Sequence, residues 1–133
     1  MQIGEVAERT GLSLRTIRYY EEMGLVQPPS RTTGGFRLYA EADLARLMLV
    51  KRMKPLEFSV EDMRDLLGVL DALEACVDGA DGRDVLLDRL AMYREAADAR
   101  VRALRDQLGT AEEFAKDLRR EISRQRRLAE PER

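Results

Sequence analysis

From Leu87 onward the apolar residues fall into a seven-residue repeat, and this constrains the chain more than any other feature. Leu87, Val101, Leu108, Ala115 and Ile122 hold one seam position, and Leu90, Ala97, Leu104, Ala111 and Leu118 hold the other; Arg94 alone interrupts. A period sustained over about five heptads predicts a coiled coil rather than a helix lying on its own domain. A continuous helix from Asp84 to Arg127 would be about 65 Å long at 1.5 Å per residue. Gly109 is its weak link, costing about 1 kcal/mol relative to Ala, and is the place where such a helix can bend or break.

Composition agrees. Charged residues make up 36% of the 133 and aromatic residues 5%, with no Trp, a mix suited to long solvated helices more than to a thick core. Part of the stability should therefore come from another subunit. One Cys leaves no internal disulfide, and no stretch reads as a signal peptide or membrane span, so a cytoplasmic protein is expected. With no His, the usual general base and the commonest zinc ligand are missing, which puts enzyme readings last; no cofactor and no metal are expected.

The N-terminal part has a different grammar. Ile3, Val6 and Ala7 form one helical stripe, Gly11 supplies a tight turn, and Ser13 is a ready N-cap for a second helix, Leu14 to Met23. Gly24 ends that helix, and Pro28-Pro29 prevents its resumption. Two short helices joined by a Gly-containing turn form the helix-turn-helix pattern. From Ser30 to Tyr39, Gly34-Gly35 followed by alternating apolar and polar residues predicts a two-stranded wing. A helix from about Glu41 to Lys54 should turn Leu44, Leu47, Met48 and Val50 inward, with Pro55 closing it. Ser59 and Asp62 have capping-box spacing for a further helix, and residues 78–83 read as a linker.

A helix that reads DNA must keep one face in the core while offering polar and cationic side chains to base edges and phosphates. The second helix has this division: Leu14 and Ile17 are expected inward, and Arg15, Thr16, Arg18 and Tyr19 outward. The net charge of −2 does not argue against it, because four of the five Arg among residues 1–39 come after the first helix. Two Arg on an amphipathic helix can also be mere solvation.

The order of residues narrows the choice. Ile3-Gly4-Glu5-Val6-Ala7, Thr16-Ile17-Arg18-Tyr19-Tyr20-Glu21, Gly24-Leu25-Val26, Arg31-Thr32-Thr33-Gly34-Gly35-Phe36-Arg37-Leu38-Tyr39 and Asp43-Leu44 closely resemble the MerR family of bacterial transcription regulators over roughly the first 70 residues. The resemblance implies a mainly α fold: a winged helix-turn-helix over residues 1–70, a linker at 71–83, an antiparallel dimerisation coiled coil at 84–127 and a tail at 128–133. It also implies a homodimer on a promoter palindrome, acting with RNA polymerase by bending and untwisting DNA at a cost of about 1 to 10 kcal/mol. Ser13, Arg15, Thr16, Arg18 and Tyr19 would face the major groove, while Arg31 and Arg37 in the wing and Lys54 would clamp the backbone. Leu87, Leu90, Ala97, Val101, Leu104, Leu108, Ala111 and Leu118 would form the dimer interface. Two residues depart from the family pattern: Phe36 stands where Tyr is common, and Glu57 where a helix-ending Gly is usual. The alternatives are a repressor or architectural DNA-bending protein without activation, and, outside that class, an adaptor coiled coil.

Three further features carry candidate roles. Cys76 is a candidate effector or thiol residue, although one thiolate cannot complete a soft-metal site unless a dimer supplies two. Asp78, Asp81 and Asp84 lack calcium-loop spacing, which leaves a capping role for Asp84. Arg119, Arg120, Arg124, Arg126 and Arg127 suit a helix C-terminus, or a phosphate or protein contact. No effector domain large enough for a drug-sized cavity, about 300 Å³ or more, is expected.

Overall fold

The computed structural model describes the chain apart from residues 28, 29, 32, 36, 76–81, 132 and 133 and the side chains of residues 30, 31 and 37. The order is α1 (Ile3–Thr10), α2 (Leu14–Glu22), β1 (Ser30–Arg31), β2 (Arg37–Leu38), α3 (Glu41–Met53), a 3-10 turn (Lys54–Leu56), α4 (Val60–Ala75) and α5 (Arg83–Ala129). Two compact units result, Met1–Tyr93 and Arg94–Arg133.

Short helices need good ends, and the first unit has them. Gly11 closes α1 at φ 73°, its N–H donating to the Ala7 carbonyl, and the Lys51 ammonium donates to the Thr10 carbonyl at 2.7 Å. Buried Thr10 turns its hydroxyl onto the Val6 carbonyl at 2.8 Å, so no polar group is left bare there. Asp43 accepts from the Ala40 N–H at 2.8 Å, half of a capping box. The full box forms at α4: Ser59 N–H donates to Asp62 at 3.1 Å and Asp62 N–H to the Ser59 hydroxyl at 3.0 Å. Arg9 donates to both Glu41 oxygens, at 2.8 and 3.2 Å, tying α1 to the start of α3. That bond holds the Glu41 carboxyl below the ordinary carboxylate range.

Val6, Ile17, Tyr20, Leu25, Val26, Tyr39, Leu47, Val50, Met53, Met63 and Leu67 make one core. Two expected core residues lie outside it. Leu14 is 41% exposed, because a first-turn side chain leans past the helix N-terminus. Met48 is 39% exposed; it stands one residue round from Leu47, and the stripe continues through Val50 to Met53 instead. Leu44 is partly buried as expected.

The expected ribbon over residues 30–39 is reduced to an antiparallel ladder of two pairs, Ser30 with Leu38 and Arg31 with Arg37. Tyr39 leaves it at once: its backbone exchanges bonds of 2.7 and 2.9 Å with Met1, and its hydroxyl donates to Glu21. Pro55 does not end the helical path cleanly either, because it sits in the 3-10 turn that extends α3 to Leu56. Glu57 stops that turn in the left-handed region, φ 64° and ψ 28°.

Helix α4 runs through Ala75, so residues 71–75 are helix and not linker, with Ala72 and Leu73 half-buried. Helix α5 begins at Arg83 and reaches Ala129, beyond the expected end, with Pro131 two residues on. Asp84 therefore lies inside its first turn and is not the cap. Within the first unit, Asp65 accepts the Tyr93 hydroxyl and pairs with Arg89, and the Tyr93 ring tilts against Phe58 at 5.9 Å. Helix α5 continues through Gly109, with the Thr110 hydroxyl donating back to the Asp106 carbonyl at 3.1 Å.

Candidate nucleic-acid interface

Helix α2 is positioned from both ends. At its start Ser13 has extended backbone, φ −72° and ψ 156°, and its hydroxyl accepts from the Thr16 N–H at 3.0 Å. The Ser13 and Thr16 hydroxyls also bond each other at 2.8 Å. Both residues expected to touch DNA thus form the cap, and each hydroxyl keeps spare capacity for a further partner. Ile17 and Tyr20 anchor the inner face. Burial, with the neighbouring Tyr19 adding to it, pushes the Tyr20 phenol above its ordinary pKa, so it stays neutral in the core.

Outward lie Arg15, Arg18 and Tyr19, all exposed and spaced three and four residues apart, hence on one face. The Tyr19 ring tilts against Tyr20 at 5.9 Å, which steadies a ring that is 44% exposed.

The far end of α2 is held by two arginines that sequence reasoning did not single out. Arg64 donates twice to the Met23 carbonyl, at 3.0 and 2.6 Å, where Gly24 turns the chain at φ 77°. Arg46 donates to the Leu25 carbonyl at 2.7 Å and clamps Asp71 through both carboxylate oxygens at 2.9 and 3.0 Å. This hydrogen-bonded pairing lowers the Asp71 carboxyl pKa. Such cations cap carbonyls and fix the exit from α2; Arg46 sits on α3 and Arg64 on α4, more than twenty residues beyond the carbonyls they bind, a separation no local pattern reveals.

The remaining expected contacts lie on other elements. Arg31 and Arg37 are Cα partners on one rung of the ladder, and the exposed Gly34 lies in the turn between them. Lys54 is exposed at the start of the 3-10 turn after α3. On α5, Leu90 and Ala97 are half-buried, while Leu87, Val101, Leu104, Leu108, Ala111 and Leu118 are exposed. Arg119, Arg120, Arg124, Arg126 and Arg127 are exposed too, with Arg124 paired to Glu121 at 2.9 Å and Arg120 near Asp117 at 3.9 Å. Cys76, Phe36, Asp78, Asp81 and Pro28-Pro29 lie outside the described residues. Among the described residues no group of His, Cys, Asp or Glu could hold a metal ion, and no helix is long and apolar enough to cross a membrane.

Comparison with known proteins fits this geometry. Residues 1–69 match the MerR HTH family of regulatory proteins. The mercuric resistance operon regulatory protein of Bacillus cereus is 45% identical over 74 residues, 56% of this chain and 56% of that protein. The chain spans about half to two-thirds of the length of the curated relatives it matches. A MerR family transcriptional regulator from Listeria monocytogenes superposes with a TM-score of 0.71 at 25% identity, covering 96% of this chain and 93% of that one. HiNmlR, a MerR family regulator lacking the sensor domain and solved bound to promoter DNA, gives 0.65 at 22% identity over 87% of this chain and 78% of its own. The family match alone takes in more than half of the residues, and this chain belongs to the MerR family of helix-turn-helix regulatory proteins.

Proposed function

We propose that the chain is a transcription regulator that binds duplex DNA as a homodimer, setting α2 of each copy in the major groove of one half of a promoter palindrome. Arg15, Thr16, Arg18 and Tyr19, with Ser13 at the helix start, face base edges and nearby phosphates; Arg31 and Arg37 act as a wing with Lys54, gripping the backbone. The observation that carries this is the division of α2, with Ile17 and Tyr20 buried and Arg15, Arg18 and Tyr19 exposed at one helical spacing. The family membership and the DNA-bound fold relative support it. The exposed apolar seam of α5 supports pairing of two copies through an antiparallel coiled coil. RNA polymerase is the expected third partner, since the regulator acts by distorting the promoter.

Gel-shift titration on the upstream region of the chain's own gene, at two salt concentrations, tests the reading. Arg18→Ala should cost about 1 to 3 kcal/mol on the palindrome and relax its sequence preference. Lys54→Ala should weaken all duplexes alike and flatten the salt dependence by about one unit of slope. Binding that ignores sequence and salt would sink the proposal. Distortion itself is tested by shortening the promoter spacer by about two base pairs, after which activation should become independent of the regulator.

A further inference from the structure

The seam of α5 mixes large and small apolar residues along its length. Within the second unit, Val101, Leu104, Leu108, Leu118 and Ile122 are 37% to 58% exposed, a row of large apolar side chains along one helix. Helices that share such a seam pack best when each large residue faces a small one and when the flanking charges are opposite in sign.

We infer the register of the antiparallel pair: its two-fold axis passes between Gly109 and Thr110. This rests on the dimer reading above. In that register Leu108 faces the partner's Ala111, Leu104 the partner's Ala115 and Ile122 the partner's Ala97, and Val101 against the partner's Leu118 is the one pair of two large residues among these. Arg94, the one break in the seam, meets the partner's Gln125. The flanks agree independently: Arg105 lies beside the partner's Glu112, Asp98 beside the partner's Arg119, and Arg100 beside the partner's Glu121. Asp98 and Glu121 already reach along their own helix to Arg94 at 3.5 Å and Arg124 at 2.9 Å; a carboxylate has lone pairs left for a second cation.

Neighbouring arrangements fail on both counts. Sliding one heptad toward the C-terminus sets Leu108 against the partner's Leu118, Ala111 against the partner's Ala115, and Glu112 against the partner's Glu112. Sliding one heptad the other way sets Ala97 against the partner's Ala115, Asp98 against the partner's Glu112, and Arg105 against the partner's Arg105. A parallel, in-register pair stacks Arg94 on the partner's Arg94 and puts Arg100 beside the partner's Arg105. Size and charge were free to choose different registers, and they choose the same one.

Sedimentation equilibrium on the full chain tests this. Arg105→Glu and Glu112→Arg, both at exposed positions, should each weaken dimerisation by about tenfold, since each turns two attractive contacts into repulsive ones. The double variant should return to within about threefold of the parent. In a Cys76→Ser background, oxidation should join Leu104→Cys chains to Ala115→Cys chains when the two are mixed, and neither variant to itself. Single swaps that leave the dimer unchanged or tighten it, as the slid registers require, would overturn the register, as would a mixture that forms no disulfide. A parent chain that sediments as a monomer overturns the dimer itself, which separates the two failures.

Discussion

Residues 1–75 and residues 101–131 are both mostly helical, yet they are stable for opposite reasons. The first set closes on itself: eleven buried side chains meet in one core, and side chains from α3 and α4 cap the carbonyls of α1 and of the loop after α2. The second buries nothing, every residue from 101 to 131 being exposed. Such a helix has only propensity and weak intrahelical pairs such as Arg124 with Glu121, each contributing a few tenths of a kcal/mol. A unit that closes on its own core and a helix that buries nothing within its own unit are two ways for one chain to use the same secondary structure.

Substitutions that strike one region and spare the other test this contrast. Leu108→Asp should have the largest effect: a charge in the seam breaks the dimer, and losing the second half-site should lower palindrome affinity by about 100-fold or more while the core of the first unit stays folded. Circular dichroism and sedimentation on the same sample would show it; a tight dimer surviving the charge would remove the contrast. Leu47→Ala should do the reverse. Leu47 is fully buried, and its truncation should cost about 2 to 5 kcal/mol of unfolding free energy in the first unit, read by chemical denaturation.

The two regions also differed in how much of them could be read from sequence. The heptad was legible because each of its positions repeats one local instruction, and the continuous α5 follows it through Gly109 without a break. The helix-turn-helix was legible at its punctuation: Gly11 and Gly24 take the positive φ expected of turn glycines, and Ser13 caps α2. What escaped was anything set by packing across distance. Met48 fits an apolar pattern yet lies outside the core, because the stripe's width is decided by the facing helix, and Leu14 lies outside it because it sits in the first turn of α2. Arg46, Lys51 and Arg64 serve as carbonyl caps, a role visible only once α3 and α4 lie beside α2 and the end of α1. For the proposed contacts, α2 gathers Arg15, Arg18 and Tyr19 on one helix, whereas Arg31, Arg37 and Lys54 come from separate elements.

Glu57 offers a smaller and opposite test. A side chain at φ 64° costs about 1 to 2 kcal/mol relative to Gly, so Glu57→Gly should stabilise the first unit by about 1 kcal/mol, raising its melting temperature without changing the dimer. A lower melting temperature would mean that the Glu57 side chain contributes more than its backbone costs.

The smallest effect should appear with pH. Arg46 lowers the Asp71 carboxyl pKa in the folded state, so the pair's contribution is complete above the unfolded carboxylate pKa of about 3.9 and is lost as pH falls through the folded value. Because the Asp71 side chain is 60% exposed, solvent screening holds that contribution to a few tenths of a kcal/mol. Melting curves of the parent and Asp71→Asn should therefore differ slightly and by a constant amount from pH 5 to pH 7, about where carboxylates are fully ionised, and converge in stronger acid. Arg46 also holds the Leu25 carbonyl, so Arg46→Ala should exceed Asp71→Asn at every pH. If the two cost the same, the clamp on the exit of α2 is held by Arg64 alone.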